Sequence, residues 1–181
     1  MAKMKKKASL QRLTYTALCL SLCIVLPFLT GQMPSLGNAL LPMHLPVLLC
    51  GLLCGPKYGL AVGLAAPILR SLMFGKPVMF PGAVGMSVEL AVYGLTIGIF
   101  YLLLPKKNGY VYAALLLAMV AGRLAGGAFK LVLLGLGTLK SYSFAMFLSG
   151  YVTEALPGIG LQILLVPLIF MVLKRAGAVP K

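Results

Sequence analysis

Long apolar runs, separated by short breaks that carry positive charge, are the feature that most constrains the fold of this chain. Of its 181 residues, 61% are hydrophobic and only 10% are charged, and the mean hydropathy is +1.03. About 20 apolar residues span a bilayer as a helix, whereas membrane strands need a closed barrel with alternating polarity. Because the runs are continuous rather than alternating, the sequence predicts an all-α integral membrane protein.

Breaks rich in glycine, proline and lysine divide this single domain, residues 1–181, into six predicted transmembrane helices. The predicted helices cover residues 13–29, 39–54, 58–74, 81–104, 110–136 and 149–173. The other segments are a basic N-terminal stretch (1–12), a cytoplasmic loop (105–109) and three outer loops (30–44, 75–82 and 137–148). The second helix is predicted to re-enter the membrane through the end of the first outer loop.

The positions of the basic residues set the predicted topology. Eleven of the sixteen Lys and Arg residues lie at the N-terminus, at Lys57, in the 105–109 loop or at the C-terminal end. The positive-inside rule puts these positions and both termini in the cytoplasm, and only Lys76 and Lys140 remain in the outer loops. We interpret the net charge of +14 as a topology signal and as contact with anionic lipid, not as a nucleic-acid site. The first helix is predicted to be retained rather than cleaved as a signal peptide.

Five charged residues lie inside the predicted helices, and all fall in the outer half of the membrane. Arg123 and Lys130 share one helix face, about 20 and 30 Å from its cytoplasmic start. Glu89 lies about 10 Å from the outer start of its helix, and Arg70 and Glu154 lie near outer helix ends. Charges at this depth are costly and typically mark a site. The alternative is internal salt bridging, for example between Glu89 and Arg123, but the cations outnumber the carboxylates by three to two.

Polar and aromatic residues near these charges complete a predicted substrate site that is open to the outside. The first outer loop supplies amides, and His44 lies where the chain re-enters the membrane. Tyr93 and Tyr151 share helix faces with the two glutamates, and Phe80 of the second outer loop could cover a small ring or chain. The predicted substrate-binding residues are Gln32, Asn38, His44, Arg70, Phe80, Glu89, Tyr93, Arg123, Lys130, Tyr151 and Glu154.

Motifs for catalysis, cofactors and metals are absent from the sequence. It contains no G-x-x-x-x-G-K-[ST], H-E-x-x-H or G-x-S-x-G pattern. There is one histidine and no aspartate, so no metal site is expected, and we interpret the four cysteines as packing residues. The chain is therefore not expected to be an enzyme or to bind a cofactor, and any ATP-driven work requires a partner chain.

Small residues recur at a spacing of four on several predicted helices, which lets helix backbones approach closely in lipid. Gly59 with Gly63, and Gly94 with Gly98, are two such stripes. Most of the stripes are expected to pack inside the bundle. The pair Ala17 and Ser21 on the first helix could instead face another protein.

Two stretches carry a resemblance to a known family: LPMHLPVLLCGLLCGPKYGLAVGLAAPILRSLMFG and then MSVELAVYGLTIG. Their proline-rich re-entry, Gly-Pro turn and following small residues are similar to the substrate-binding S component of an energy-coupling factor (ECF) vitamin transporter. The resemblance implies a bacterial plasma-membrane protein that binds a micronutrient with its first outer loop and helices four to six. It also implies docking on a transmembrane coupling subunit that carries two ATPases. The family docks through an A-x-x-x-A pattern on the first helix, which Ala17 to Ser21 matches with Ser in place of the second Ala.

The ligand and the transport mode each have alternatives at this point. The excess of cations suggests a carboxylate such as pantothenate, whereas Glu89 and Glu154 could bind a protonated ring amine of a pyridoxine or pyrimidine compound. A small secondary transporter or channel that works alone is the alternative function, although no repeat relates the two halves of the chain. A purely structural membrane subunit is a third reading, which the charge cluster argues against.

Overall fold

The structure, a computed structural model, describes residues 2–29, 39–105, 108–137, 143–177 and 179. Side chains are described throughout these ranges except at residues 2–8, 108, 144, 147, 151 and 152. All regular structure within the described ranges is helical, which confirms the predicted all-α class.

Seven α-helices follow one another along the described part of the chain. They are α1 (Ala2–Leu29), α2 (His44–Cys54), α3 (Pro56–Phe74), α4 (Val84–Leu103), α5 (Asn108–Gly135), α6 (Phe144–Leu148) and α7 (Leu156–Arg175). A wider, π-type turn precedes α4 at Met79–Ala83, and another follows α6 at Ser149–Thr153. Because α4 packs against α2, α3 and α5, it is the central helix of the bundle.

Four helical stretches are long and apolar enough to cross a membrane, which indicates a membrane protein. They are Ser9–Leu29, Met79–Leu103, Gly109–Gly135 and Leu156–Arg175. By contrast, α2 has 11 residues and is about 16 Å long, roughly half the thickness of a bilayer core. Six complete crossings and the location of both termini therefore stay predictions.

The second predicted helix, residues 39–54, is shorter in the structure because proline interrupts its start. Residues 39 and 40 are helical, but Leu41 has a φ of 50°, and α2 begins only at His44. The ring of Pro42 disfavours the right-handed helical conformation for the residue before it, which is Leu41. The break places His44 at the start of a helix.

Three other predicted boundaries differ in the structure. The predicted helix 149–173 is divided, because α7 begins only at Leu156, with Pro157 in its first turn, where the missing N–H has no intrahelical partner to lose. The predicted outer loop 137–148 contains α6, whose N-terminus is capped by Ser143. The predicted 105–109 loop is shorter, since α5 begins at Asn108.

Glycines hold α2, α3 and α4 at close range, as the small-residue stripes predict. Gly59 and Gly63 of α3 lie directly on the backbone of Gly94 and Leu90 in α4, and Gly51 of α2 reaches the carbonyl group of the same Gly94. A side chain at any of these glycines would overlap backbone atoms of the neighbouring helix, so only glycine permits this approach.

The four cysteines are all buried, and none forms a disulfide. The thiol of Cys23 lies 3.6 Å from the carbonyl oxygen of Met43. The thiol of Cys54 lies 3.4 Å from the carbonyl oxygen of Arg12. Among the described residues there is no group of three or more potential metal ligands. The cysteines thus line the contact between α1 and α2, which agrees with their predicted packing role.

Candidate substrate-binding site

Four of the predicted site residues meet inside the bundle, and we call them the polar cluster: His44, Glu89, Tyr93 and Arg123. His44 is the first residue of α2, and Arg123 lies on α5. Glu89 and Tyr93 lie four residues apart on α4, so they share one face of that helix. The cluster therefore joins three helices that are separate in sequence.

Direct contacts connect these four side chains one to the next. The Nε2 atom of His44 lies 3.5 Å from Glu89 Oε1, which is long for an N–H···O hydrogen bond. The His44 ring also packs edge-on against the Tyr93 ring, with centroids 5.1 Å apart. The hydroxyl of Tyr93 in turn accepts a hydrogen bond of 3.0 Å from Nε of Arg123.

The pairing of Glu89 differs from the internal salt bridge considered on sequence grounds. In the structure, the side chain of Glu89 contacts His44 rather than Arg123. Arg123 contacts the tyrosine hydroxyl instead, and its guanidinium keeps a charge that no carboxylate within the described cluster neutralises by direct contact.

The approach of α5 depends on Gly122, which faces the ring of Tyr93. A side chain at position 122 would collide with that ring, so glycine lets α5 lie close enough for the neighbouring Arg123 to reach the hydroxyl. Tyr93 has no exposed surface, and His44 and Glu89 are also buried. Their polar atoms therefore depend on each other, or on a bound molecule, for hydrogen bonds.

Several polar atoms at this end of the bundle are buried without a hydrogen-bond partner. Among them are Nδ1 of His44 and Nη1 of Arg123. If neutral His44 donates from Nε2 to Glu89, its Nδ1 is an acceptor that remains unused. A buried polar group without a partner costs about 1–3 kcal/mol, so such atoms call for an explanation.

Gln162 of α7 is a candidate that the sequence reasoning missed. Its side chain is fully buried, and neither its Nε2 nor its Oε1 has a partner. One turn earlier on the same helix face, Gly158 contacts the backbone of Ala39 and Leu40, just before His44 begins α2. Gln162 is the only polar side chain between residues 156 and 173, and that isolation was the signal available in the sequence.

Lys130 and Glu154 extend the cluster towards the end of α5. Lys130 is half-buried and close enough to interact electrostatically with both Glu89 and Glu154. Glu154 is exposed in the turn before α7, where its carboxylate accepts a 3.4 Å hydrogen bond from the hydroxyl of Ser149.

Arg70 makes a different contact, between α3 and α1. Its Nη1 donates a hydrogen bond of 2.6 Å to the carbonyl oxygen of Ile24, and its guanidinium lies 5.0 and 5.6 Å from the rings of Phe28 and Phe74. Arg70 is only 3% exposed. Because Arg70 contacts α1, the charged residues near the cluster are Arg123, Lys130, Glu89 and Glu154. Two cations then face two carboxylates, and the excess of cations predicted from the sequence is absent there.

All of the predicted site residues stay predictions as ligand contacts, including four that the structure does not bring into the polar cluster. Phe80 is half-exposed in the turn Met79–Ala83. The backbone of Tyr151 lies in the turn Ser149–Thr153, but its side chain is outside the described part of the structure. Gln32 and Asn38 of the first outer loop also lie outside the described residues.

Ala17 and Ser21, the predicted docking pair, lie on the outer surface of α1. Both are exposed, and the hydroxyl of Ser21 donates a 2.9 Å hydrogen bond to the carbonyl oxygen of Ala17. Leu18 and Val25, beside them, are each 56% exposed. The pair is thus part of an exposed, largely apolar surface of α1 rather than of the packing inside the bundle.

A family model described as the substrate-specific component of ECF transporters matches residues 11–170. The match includes the whole polar cluster, Gln162 and the Ala17–Ser21 pair, and it confirms the resemblance found in the sequence. No curated protein and no solved structure matches the chain. The family consists of transport subunits rather than enzymes. The chain therefore belongs to the substrate-specific components of ECF transporters.

Proposed function

We propose that the chain is the high-affinity binding subunit of an ATP-driven importer in the bacterial plasma membrane, for a small water-soluble vitamin or vitamin precursor. Family membership makes it a substrate-specific subunit that associates with a transmembrane coupling subunit and ATPase modules. The proposal places the substrate at the polar cluster, with Gln162 beside it. The observation that carries this placement is the set of buried polar atoms without partners.

A purely structural cluster would pair its buried groups, because an orphaned donor or acceptor costs the full price of its desolvation. Six buried side-chain atoms among the described residues lack a partner, and four of them belong to His44, Arg123 and Gln162. A ligand with both donors and acceptors could supply the hydrogen bonds that these atoms lack. Binding would then recover free energy that the empty protein lacks, which favours a tight complex.

The charges near the cluster support a ligand that is polar but not strongly anionic. Arg123 and Lys130 could hold the carboxylate of a pantothenate-like substrate, and the Nη1 atom of Arg123 has no hydrogen-bond partner. The alternative is a pyridoxine or pyrimidine compound, whose ring nitrogen or amine would face Glu89 while the amide of Gln162 pairs with a ring edge. Both classes remain within the proposal.

We also propose that the polar cluster lies on the outer side and that the turn between α2 and α3 lies in the cytoplasm. The support is the distribution of basic residues. Lys57 and Lys76 form a matched pair for a test, because both are exposed and they lie at opposite ends of α3. Lys57 is in the first turn of the helix, and Lys76 follows its last residue by two. A membrane-impermeant maleimide applied to intact cells should label Lys76→Cys and leave Lys57→Cys unlabelled until the cells are opened. The four native cysteines are buried and give little background. Efficient labelling of Lys57→Cys from outside would reverse the proposed orientation.

The exposed Ala17–Ser21 pair is proposed to dock on the coupling subunit. Ala17→Trp or Ser21→Trp should block uptake by the full importer while leaving substrate binding intact, because a bulky side chain prevents close helix approach. Leu164→Trp is the control, since Leu164 is an exposed apolar residue of α7. Normal uptake by both α1 variants would remove this surface from the docking site.

Uptake by the isolated chain in proteoliposomes, without a coupling subunit or an ATPase, would instead favour a secondary transporter.

Arg123 is the residue whose loss should weaken substrate binding most clearly. A desolvated hydrogen bond to a charged group contributes about 1.5–3 kcal/mol, so Arg123→Ala should lower affinity roughly 10- to 100-fold. Arg123→Lys should restore only part of it, because lysine lacks the planar two-pronged donor. Isothermal titration calorimetry measures the affinities, and a melting curve without ligand shows whether each variant remains folded.

Arg70→Ala is the matched control for Arg123→Ala. It also removes an arginine side chain from inside the bundle, but one that contacts α1 rather than the cluster. It should lower the melting temperature and leave affinity close to that of the wild type. If a stable Arg123→Ala protein binds normally, or if Arg70→Ala loses affinity to the same degree, the proposed site is wrong.

A further inference from the structure

A cavity of about 570 Å³ lies at the end of the bundle away from the polar cluster. Gly98 and Leu102, near the C-terminal end of α4, line it, whereas Glu89 lies near the other end of that helix. None of the residues predicted for the substrate site lines it. Its volume falls within the range of about 300–1,000 Å³ that is typical of small-molecule sites.

Three basic residues from three helices line this cavity: Arg12 of α1, Lys57 of α3 and Lys174 of α7. No carboxylate side chain lines it, because the only two in the chain are Glu89 and Glu154. The Nε atom of Arg12 is also buried without a hydrogen-bond partner. The cavity therefore has positive charge and an unused donor, which together favour an anion.

The start of α3 adds backbone donors to the same space. Lys57 and Tyr58 lie in the first turn of α3 and line the cavity, and no side chain caps this helix. The N–H groups of a first turn have no intrahelical acceptor, and the positive end of the helix dipole attracts anions, phosphate in particular. These donors reinforce the three basic side chains.

The rest of the wall is apolar, which narrows the class of ligand. Leu52, Leu53 and Leu102 line the cavity together with the ring of Tyr101. A small inorganic anion would leave these surfaces unused, whereas a phosphate ester would place its phosphate on the basic side and its organic part on the apolar side. Basic residues at the end of a membrane helix also lie at the depth of the lipid headgroups, so a lipid phosphate could reach them.

We propose that this cavity binds a phosphate ester, with the phosphate held by Arg12 and Lys57. Its source is either the headgroup of an acidic phospholipid or a soluble phosphate compound. The site is separate from the polar cluster, so it does not depend on which vitamin the protein takes up.

The test uses the purified full-length chain in detergent and measures binding by native mass spectrometry and by melting temperature. The probes are phosphatidylglycerol, phosphatidylcholine with the same acyl chains, glycerol 3-phosphate and inorganic phosphate. Each basic side chain near a lipid surface is worth about 1 kcal/mol, or roughly fivefold in affinity. The double variant Arg12→Gln/Lys57→Gln should therefore bind phosphatidylglycerol roughly 25-fold more weakly. Arg175→Gln should change little, because Arg175 is exposed beside Lys174 but does not line the cavity.

The pattern across the probes separates the two sources and decides the proposal. Tight binding of phosphatidylglycerol alone identifies a lipid, and competition by glycerol 3-phosphate identifies a soluble ester. Competition by inorganic phosphate as strong as that by glycerol 3-phosphate would show that the apolar wall does not contribute and would overturn the proposal of an ester. Equal binding of phosphatidylcholine, wild-type affinity in the double variant or an equal loss in Arg175→Gln would overturn the proposal. If the double variant does not fold, Lys57→Gln should still weaken binding about fivefold and Lys57→Arg should preserve it.

Discussion

The cost of burying polar groups among apolar helices is the constraint on which the rest of this structure depends. A charge inside a membrane helix persists only when it is paired, reaches water or serves a ligand. Arg70 meets this condition within the protein, through the carbonyl oxygen of Ile24 and two aromatic rings. The polar cluster meets it only in part, because His44 and Arg123 each keep a buried atom without a partner. The difference between these two arrangements is the basis for placing the substrate at the cluster.

Close packing around α4 is what makes a partly satisfied cluster tolerable. Gly51, Gly59 and Gly94 let α2 and α3 lie against α4 with almost no space between backbones, and Gly122 does the same for α5 at the ring of Tyr93. This packing fixes the helices that carry the cluster before any ligand binds. A site that is already positioned loses less conformational entropy on binding, which favours high affinity.

The sequence was sufficient to predict the all-α class, the family and the meeting of His44, Glu89, Tyr93 and Arg123. Depth along a helix follows from its rise per residue, so charges at similar depth could be grouped without a structure. The direction in which a side chain points across the bundle could not be derived in that way. Arg70 has a depth that suits the site, yet it turns to α1, and the cation excess inferred from the sequence was lost with it. Gln162 was missed because the search followed charges and did not consider an isolated uncharged amide on an apolar helix.

The central claim is that the orphaned polar atoms bind a vitamin, and Gln162→Leu tests it most directly. If Gln162 is only structural, removing its buried unpaired amide should raise stability and leave ligand response unchanged. The measurement is the melting temperature of the wild type and of Gln162→Leu, each screened against a panel of water-soluble vitamins and precursors. We predict that one compound raises the melting temperature of the wild type by several degrees. We also predict that Gln162→Leu, without ligand, melts at the same or a higher temperature and responds to that compound much less. A wild-type response in Gln162→Leu, or no response of the wild type to any member of the panel, would contradict the account.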